Sequence, residues 1–311
     1  MISAESSWPR VLLLLVMLCT GGCASPVSFD ESKLELRLQA IADEIAPREL
    51  AVEFRYLWGT DHASVNADVV MHAASTMKLA VLLTLMREDM SGGLSIDSNL
   101  PVVNRFRSVA DGSEFKLDPA DDGETDLYLH VGTSTAVREL ARRMITKSSN
   151  LATNILMERL TPALVQGIVA SVGATDTRIV RGVQDLKAFD AGLVNVTTAH
   201  DLALILEAIF RDVVYGPDVK VAWPMQLLRD QEFNDMIPAG LPSGTAVLHK
   251  TGQIARIHHD AAIVMLPTPS LLHFEFPAVL VVMTRGFEDP EQSAALGALV
   301  ARTVHEFLLA Q

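Results

Sequence analysis

Strand-like segments stand at both ends of this 311-residue chain, and helical ones fill the space between them. Leu50–Trp58 is rich in β-branched and aromatic residues and reads as a strand; Ala63–Val70 returns as a second after a turn at Gly59–Asp61. Three more strand-like segments lie near the C-terminus: Thr245–Lys250, His259–Leu266 and Ala278–Thr284. Gly252 separates the first two, and the proline-containing segment 267–277 separates the last two. Helical patterns run over 76–89, 136–146, 151–159, 161–172 and about 198–213, with Thr161-Pro162 as a capped helix start. Another helical pattern, through Leu34, Leu38, Ile41 and Ile45, precedes the first strand and ends at Pro47; a last one runs from about Pro290 to Leu309. Residues 100–130 read as a long polar loop and 181–197 as irregular. If the two sets of strands share one sheet, the middle helices form an inserted lobe, about 76–235. A cleft between two such lobes is a favoured ligand site.

Hydrophobic residues make up 49% of the chain and charged ones 20%, enough for a real core in one large domain or two small ones. The net charge of −13 argues against nucleic acid, which needs a basic face to displace counterions. It keeps the chain soluble and names no partner. At the N-terminus Arg10 precedes an apolar run, Val11–Leu18, followed by Thr20, Gly21, Gly22 and Cys23. That is the layout of a secretory signal over residues 1–23, with 24–29 as a tether to a folded domain over 30–311. The run is too short to span a bilayer, which takes about 20 residues. Both cysteines, Cys19 and Cys23, lie in this segment, so their even number indicates no disulfide. The expectation is export to the periplasm. Two endings stay open: a lipid carried by Cys23, as in bacterial lipoproteins, or ordinary cleavage nearby. Membrane contact is expected only through such a lipid, and the chain is expected to be a monomer.

Three short motifs carry chemistry. Ser75-Thr76-Met77-Lys78 opens a helix, and residues three apart share a helix face, so the Lys78 amine is within reach of the Ser75 hydroxyl. Serine needs a neighbouring base to become a nucleophile, and a helix N-terminus favours developing negative charge. Taken alone the motif is equally a helix cap and a surface lysine. Ser148-Ser149-Asn150 offers a hydroxyl and an amide between two helical stretches, or merely a polar turn. Lys250-Thr251-Gly252 ends a strand with a cation for a carboxylate, a hydroxyl donor and a glycine that lets substrate approach the backbone.

In this order the three motifs resemble those of the penicillin-recognising serine enzymes, the class A β-lactamases and penicillin-binding proteins. The flanking stretches HAASTMKLAVLL, MITKSSNLATNILM, NVTTAHDLALIL and GLPSGTAVLHKTG are similar to class A β-lactamase segments, and the resemblance spans roughly residues 30–311. It implies an α/β (α+β) sandwich: a five-stranded antiparallel sheet flanked by helices, with an all-helical lobe inserted. It also implies roles. Ser75 attacks the carbonyl; Lys78 is the base or a relay member; Ser148 passes a proton to the leaving nitrogen. Asn150 binds the substrate amide, and Lys250 and Thr251 hold its carboxylate. The backbone N–H groups of Ser75 and Gln253 form an oxyanion hole beside Gly252. No cofactor and no metal is implied.

Two departures stand out. Ser149 occupies a place where the β-lactamases usually carry aspartate. The glutamate motif that serves their deacylation, Glu-x-x-Leu-Asn, is missing from the loop RGVQDLKAFDAGLVN, where Gln184, Asp185 and Asp190 are the nearby substitutes. Asp185 is then a candidate base or a solvated loop residue. His249, His258 and His259 cluster around the third motif; neighbouring strand residues face opposite ways, so His258 and His259 are poorly placed to share a metal. Arg256 or His259 is a candidate second contact for the substrate carboxylate, with a plain surface role as the alternative. The expected activity is β-lactamase-like hydrolysis of a small β-lactam or peptidoglycan-like substrate, with slow deacylation. A D-alanyl-D-alanine peptidase or esterase on the same fold, and a sensor or sink that stays acylated, are the alternatives.

Overall fold

The computed structural model describes residues 29–215, 222–268 and 275–311. The signal segment, Cys23 and all of the tether except Phe29 lie outside the described residues. Phe29 belongs to the folded domain: its ring is buried against Phe54, Tyr56 and Phe307, and its N–H donates to Asp61.

The strands at the two ends of the chain do share one sheet. β1 (Glu49–Tyr56), β2 (His62–Val65), β3 (Val247–Ile254), β4 (Ile257–Pro267) and β5 (Glu275–Arg285) form a five-stranded sheet in the order β2-β1-β5-β4-β3, antiparallel throughout. The central pairings put Val52 opposite Val282 and Ala262 opposite Leu280. Both faces are covered, so β5, and β4 beyond His258-His259-Asp260, read as nearly continuous apolar runs rather than alternating ones. Alternate residues feed two separate cores. Val52, Phe54, Ala262, Val264, Leu280 and Val282 pack on α1 (Glu31–Glu44) and on the C-terminal helix, Pro290–Leu309. Ala51, Ala261, Ile263, Val279, Val281 and Met283 join the other core, with the helices that lie between β2 and β3 in sequence.

At the centre of that second core is α2 (Lys78–Ser91), buried without interruption from Lys78 to Met86. It ends at Gly92, whose φ of +79° is the left-handed conformation that releases Glu88 and Asp89 carbonyls to its own N–H. Around it pack α3 (Val137–Thr146), α4 (Asn150–Leu160), α5 (Pro162–Ser171) and, after the short α6 (Leu186–Asp190), α7 (Ala199–Tyr215). Thr161 caps α5 through its hydroxyl with Pro162 behind it, as its sequence requires. Two short helices, α8 (Trp223–Arg229) and α9 (Ile237–Gly240), lead back to the sheet, and α10 is Pro290–Leu309. Among the described residues no helix is long and apolar enough to cross a membrane.

Two boundaries differ from expectation. The second strand stops at Val65 because Asn66 turns into the left-handed region at φ +51°. Gly252 does not end a strand: β3 continues to Ile254, and the hairpin turns at Ala255-Arg256, where Arg256 has φ +61°.

Candidate active site

The site lies where the free edge of β3 passes the start of α2. β3 is the last strand of the sheet, so one row of its backbone groups has no strand partner. Ser75 sits in a single 3-10 turn, Ala74–Met77, that runs into α2. Ala74 before it holds φ +46°, an unfavourable conformation for a residue with a Cβ, of the kind that gathers at functional sites. Gly252 is required here: a Cβ on it would stand 2.9 Å from Ser75 N and 2.8 Å from Thr76 N. The close approach places the backbone of β3 against the two N–H groups that open the helix.

Lys78 and Lys250 are both fully buried, and Ser148 lies between them. Lys78 Nζ contacts Ser148 O at 2.6 Å, Ser148 Oγ at 3.1 Å and Asn150 Oδ1 at 3.0 Å. Lys250 Nζ donates to the same Ser148 Oγ at 3.1 Å and to Thr251 O at 2.8 Å. Burial pushes the Lys78 amine down to about 7, with Asp122 opposing. Lys250 is also driven well below its ordinary range, first by burial and then by the positive charge of Lys78, while Asp260 opposes. A neutral Lys78 satisfies its contacts in one way: two N–H groups donate to Ser148 O and Asn150 Oδ1, and the lone pair accepts the Ser148 hydroxyl proton. Lys250 then donates to Ser148 Oγ. The chain of hydrogen bonds therefore runs from Lys250 through Ser148 to Lys78. The expected bond from Lys78 to Ser75 gives way to this one, because Ser148, at φ +57°, turns its hydroxyl between the two amines. The half-buried Ser75 hydroxyl has no hydrogen-bond partner among the described residues.

Ser75, Ser148, Asn150, Thr251 and Gln253 line one cleft of 220 Å³, together with Asp121, Gly123, Phe233, Asp235 and His258. Its floor carries the nucleophile and its rim two exposed carboxylates. A roomier hollow of 460 Å³ by β1, β2 and α7 is lined by Glu53, Arg55, His200 and Glu207, and it contains neither serine nor lysine of the motifs.

Other residues singled out in the sequence have structural partners. Asp185 is buried and caps α6: its carboxylate accepts from Ser108 Oγ at 2.8 Å, Val109 N at 3.0 Å and Ala188 N at 3.1 Å. With both oxygens engaged, and outside the cleft that holds Ser75, it is not placed as the base considered above. Gln184 points its amide to Asp121 O at 3.0 Å, and Asp190 is exposed at the end of α6. His259 is also corrected as a carboxylate contact: it is buried, donates from Nε2 to His72 O and accepts at Nδ1 from Thr284 N. Burial holds its imidazole down at about 4. Arg256 lies in the hairpin turn and pairs with Glu288. His249 faces Asp260 and Asn234, and His258 donates from Nδ1 to Ser293, whose own hydroxyl proton goes to Pro290 O. Among the described residues no three His, Cys, Asp or Glu side chains gather as a metal site.

Sequence reading missed three residues that shape the site. Asn154 clamps the loop after α5 by exchanging two hydrogen bonds with Val183, and Gly182 leaves room for it, since a Cβ there would meet Asn154 Oδ1 at 2.6 Å. Asn195, at the far end of the same loop, binds Val180 and Arg181 at its start and touches Met77 of the nucleophile turn. Asp122 holds the start of α4. An Asp-Asp-Gly in a polar loop gives no local sign of this.

Against known proteins, the profile of a family described as "Beta-lactamase enzyme family" matches residues 33–308. Beta-lactamase AST-1 of Nocardia asteroides is 29% identical over 235 residues, covering 68% of this chain and 73% of that one. Extended-spectrum beta-lactamase PER-1 of Pseudomonas aeruginosa is 22% identical over 293 residues, 91% of each. Among solved structures, PBP-A superposes with a TM-score of 0.75 at 24% identity, over 93% of this chain and 100% of that one. A mutant of PBP-A has been solved as an acyl-enzyme complex with penicillin-G.

Proposed function

The chain belongs to the beta-lactamase enzyme family, and from that premise we propose that it is a serine hydrolase that is acylated at Ser75 by β-lactams and releases the acyl group slowly. The observation that carries this reading is the buried pair of amines on either side of Ser148, with Lys78 held at about 7 beside the nucleophile turn. An amine at that value is about half unprotonated at neutral pH, so the neutral form that accepts a proton is well populated.

As Ser75 Oγ bonds to the carbonyl carbon, its proton passes to Lys78, whose lone pair turns from Ser148 Oγ to Ser75 Oγ for this step, and the carbonyl electrons move onto oxygen. The N–H groups of Ser75 and Gln253 receive that oxyanion, a service commonly worth a few kcal/mol, roughly 3. When the oxygen electrons return, the C–N bond breaks and the nitrogen takes the Ser148 hydroxyl proton; Lys78 restores it along the hydrogen bond between them. Lys250 and Thr251 hold the substrate carboxylate, and Asn150 binds its amide. Release needs water activated by a base. Among the described residues the carboxylates lining the cleft are the rim groups Asp121 and Asp235, and Asp185 is occupied elsewhere. This supports slow release. The same observation favours a second reading, a binder that stays acylated.

Mass spectrometry of the protein with benzylpenicillin, followed over time, tests both. The expected result is a covalent adduct on the wild type that outlasts its formation and leaves slowly, and none on Ser75→Ala. No adduct on the wild type, or an adduct on Ser75→Ala, removes the reading; an adduct that never leaves selects the binder. The signal-like segment ending at Cys23 supports export, with the lipid on Cys23 as the proposed anchor. A mature N-terminus without a modified Cys23 removes the anchor.

A further inference from the structure

We infer that Asp122 is a positioning residue of this active site: from a loop far away in sequence it holds the start of α4, and with it Ser148 and Asn150, against Lys78. The inference rests on the proposed role of Lys78 as the base. Asp122 Oδ1 accepts from Asn150 N at 2.8 Å, and Oδ2 accepts from Leu151 N at 2.9 Å and from Tyr128 Oη at 2.8 Å. Asn150 and Leu151 are the first residues of α4, where N–H groups lack helical partners and negative charge is favoured. Asn150 is bound at both ends, by Asp122 through its backbone and by Lys78 through its side chain at 3.0 Å.

Three further observations belong to the same arrangement. Ser149, which stands where the family usually carries aspartate, caps only Ala152 N with its hydroxyl at 3.3 Å and brings no charge. Gly123 lets the loop lie on the turn before α4, since a Cβ there would meet Lys147 O at 2.5 Å. Arg143, the nearby cation, is taken by Glu124, Asp126 and Glu139. The Asp122 charge is thus left for the helix start and for Lys78. The carboxylate missing from position 149 reaches the same helix terminus from position 122.

The charged groups around Lys78 are few. Lys250 faces it across Ser148, with Asp260 and His249 behind Lys250. Asp122 faces it through Asn150; Asp121, Asp235 and His258 stand at the cleft, and His72 and His259 flank the Ser75 turn. Asp122 is the one whose charge opposes burial and keeps the proton on Lys78.

The test is the rate of acylation by benzylpenicillin from about pH 5 to about pH 9 for wild type, Asp122→Asn, Asp122→Ser and Asp122→Glu, with melting temperatures alongside. Both neutral variants keep an acceptor for the helix start. The acid limb in each should move down by about one pH unit, because an opposite charge is lost. The plateau should fall roughly 10-fold as Ser148 and Asn150 lose their hold. Asp122→Glu should leave the limb in place. A merely structural role gives the opposite sign, because a loosened α4 admits water and returns Lys78 toward its usual range. A limb that stays or moves up in a folded variant overturns the inference. NMR titration of isotope-labelled lysine reads the same shift whether or not penicillin reacts, so failure of acylation and failure of the inference are told apart.

Discussion

Replacing Lys78 by methionine should flatten the dependence of stability on pH above neutrality. In the folded protein Lys78 gives up its proton near 7, and in the unfolded chain only near 10.5. Between these values the unfolded state binds one more proton than the folded state, so stability rises with pH at about 1.4 kcal/mol per unit. The folded pKa sits at the lower edge of the window, so the gain from about pH 7 to about pH 9 amounts to about 2 kcal/mol. Lys78 is fully buried, so no discount for solvent is needed. Lys250 is shifted in the same direction, partly by the positive charge of Lys78, so the difference between the two proteins reads Lys78 together with its coupling to Lys250. Urea unfolding of wild type and Lys78→Met at the two pH values measures it. The wild type should gain about 2 kcal/mol more than the variant over that interval, whatever methionine does to stability at a single pH. Equal gains would mean that Lys78 is charged in the folded state, and the argument for it as a base would fail with that.

Asp185→Asn should cost about 1–2 kcal/mol in denaturant unfolding, since it weakens the cap of α6 and leaves donors facing an amide N–H; release of bound penicilloyl should keep its rate, and slower release would restore Asp185 as the base. Gly252→Ala forces a methyl against the backbone N atoms of Ser75 and Thr76, and should slow penicillin labelling about 10²-fold; labelling at the normal rate would show that the approach of β3 to the nucleophile turn is not needed. His259 titrates at about 4 when folded and at 6.5 when unfolded, so the unfolded state takes up the extra proton between these values and stability falls as pH falls, by up to roughly 3 kcal/mol. His259→Gln should remove that acid sensitivity in unfolding experiments, and an unchanged slope would refute the assignment.

Features set by neighbours in sequence were legible. The long helices show their 3.6-residue pattern, Thr161-Pro162 announces a helix start, and the strands at both ends are apolar enough to be found. The three motifs could be found by their residue types and order, although the Lys78–Ser75 bond that their spacing suggests gives way to one between Lys78 and Ser148. Short helices such as Leu186–Asp190 and Trp223–Arg229 hold too few turns for a pattern to register. The expected end of a strand at Gly252 was wrong for a physical reason: the glycine serves the packing of Ser75 against β3, not a turn. Asp122 and Asp185 were beyond reach for a different one. Their partners lie 28 residues away at Asn150 and 77 away at Ser108, and no local preference encodes such a bond.

The sheet that alternates its side chains between two cores also divides the molecule's tolerance for change. Ser75, Lys78, Ser148 and Lys250 all meet on the α2 side, where two buried amines must be kept despite their cost to folding. The layer under α1 and the C-terminal helix, around Phe54, Leu280, Val304 and Phe307, carries none of these groups. Substitutions there are free of chemical duty and act additively with distant ones. Better packing in that layer can therefore offset a destabilising change in the cleft, so that new substrate preferences arise on one face of the sheet while the opposite face supplies the reserve that keeps the variant folded.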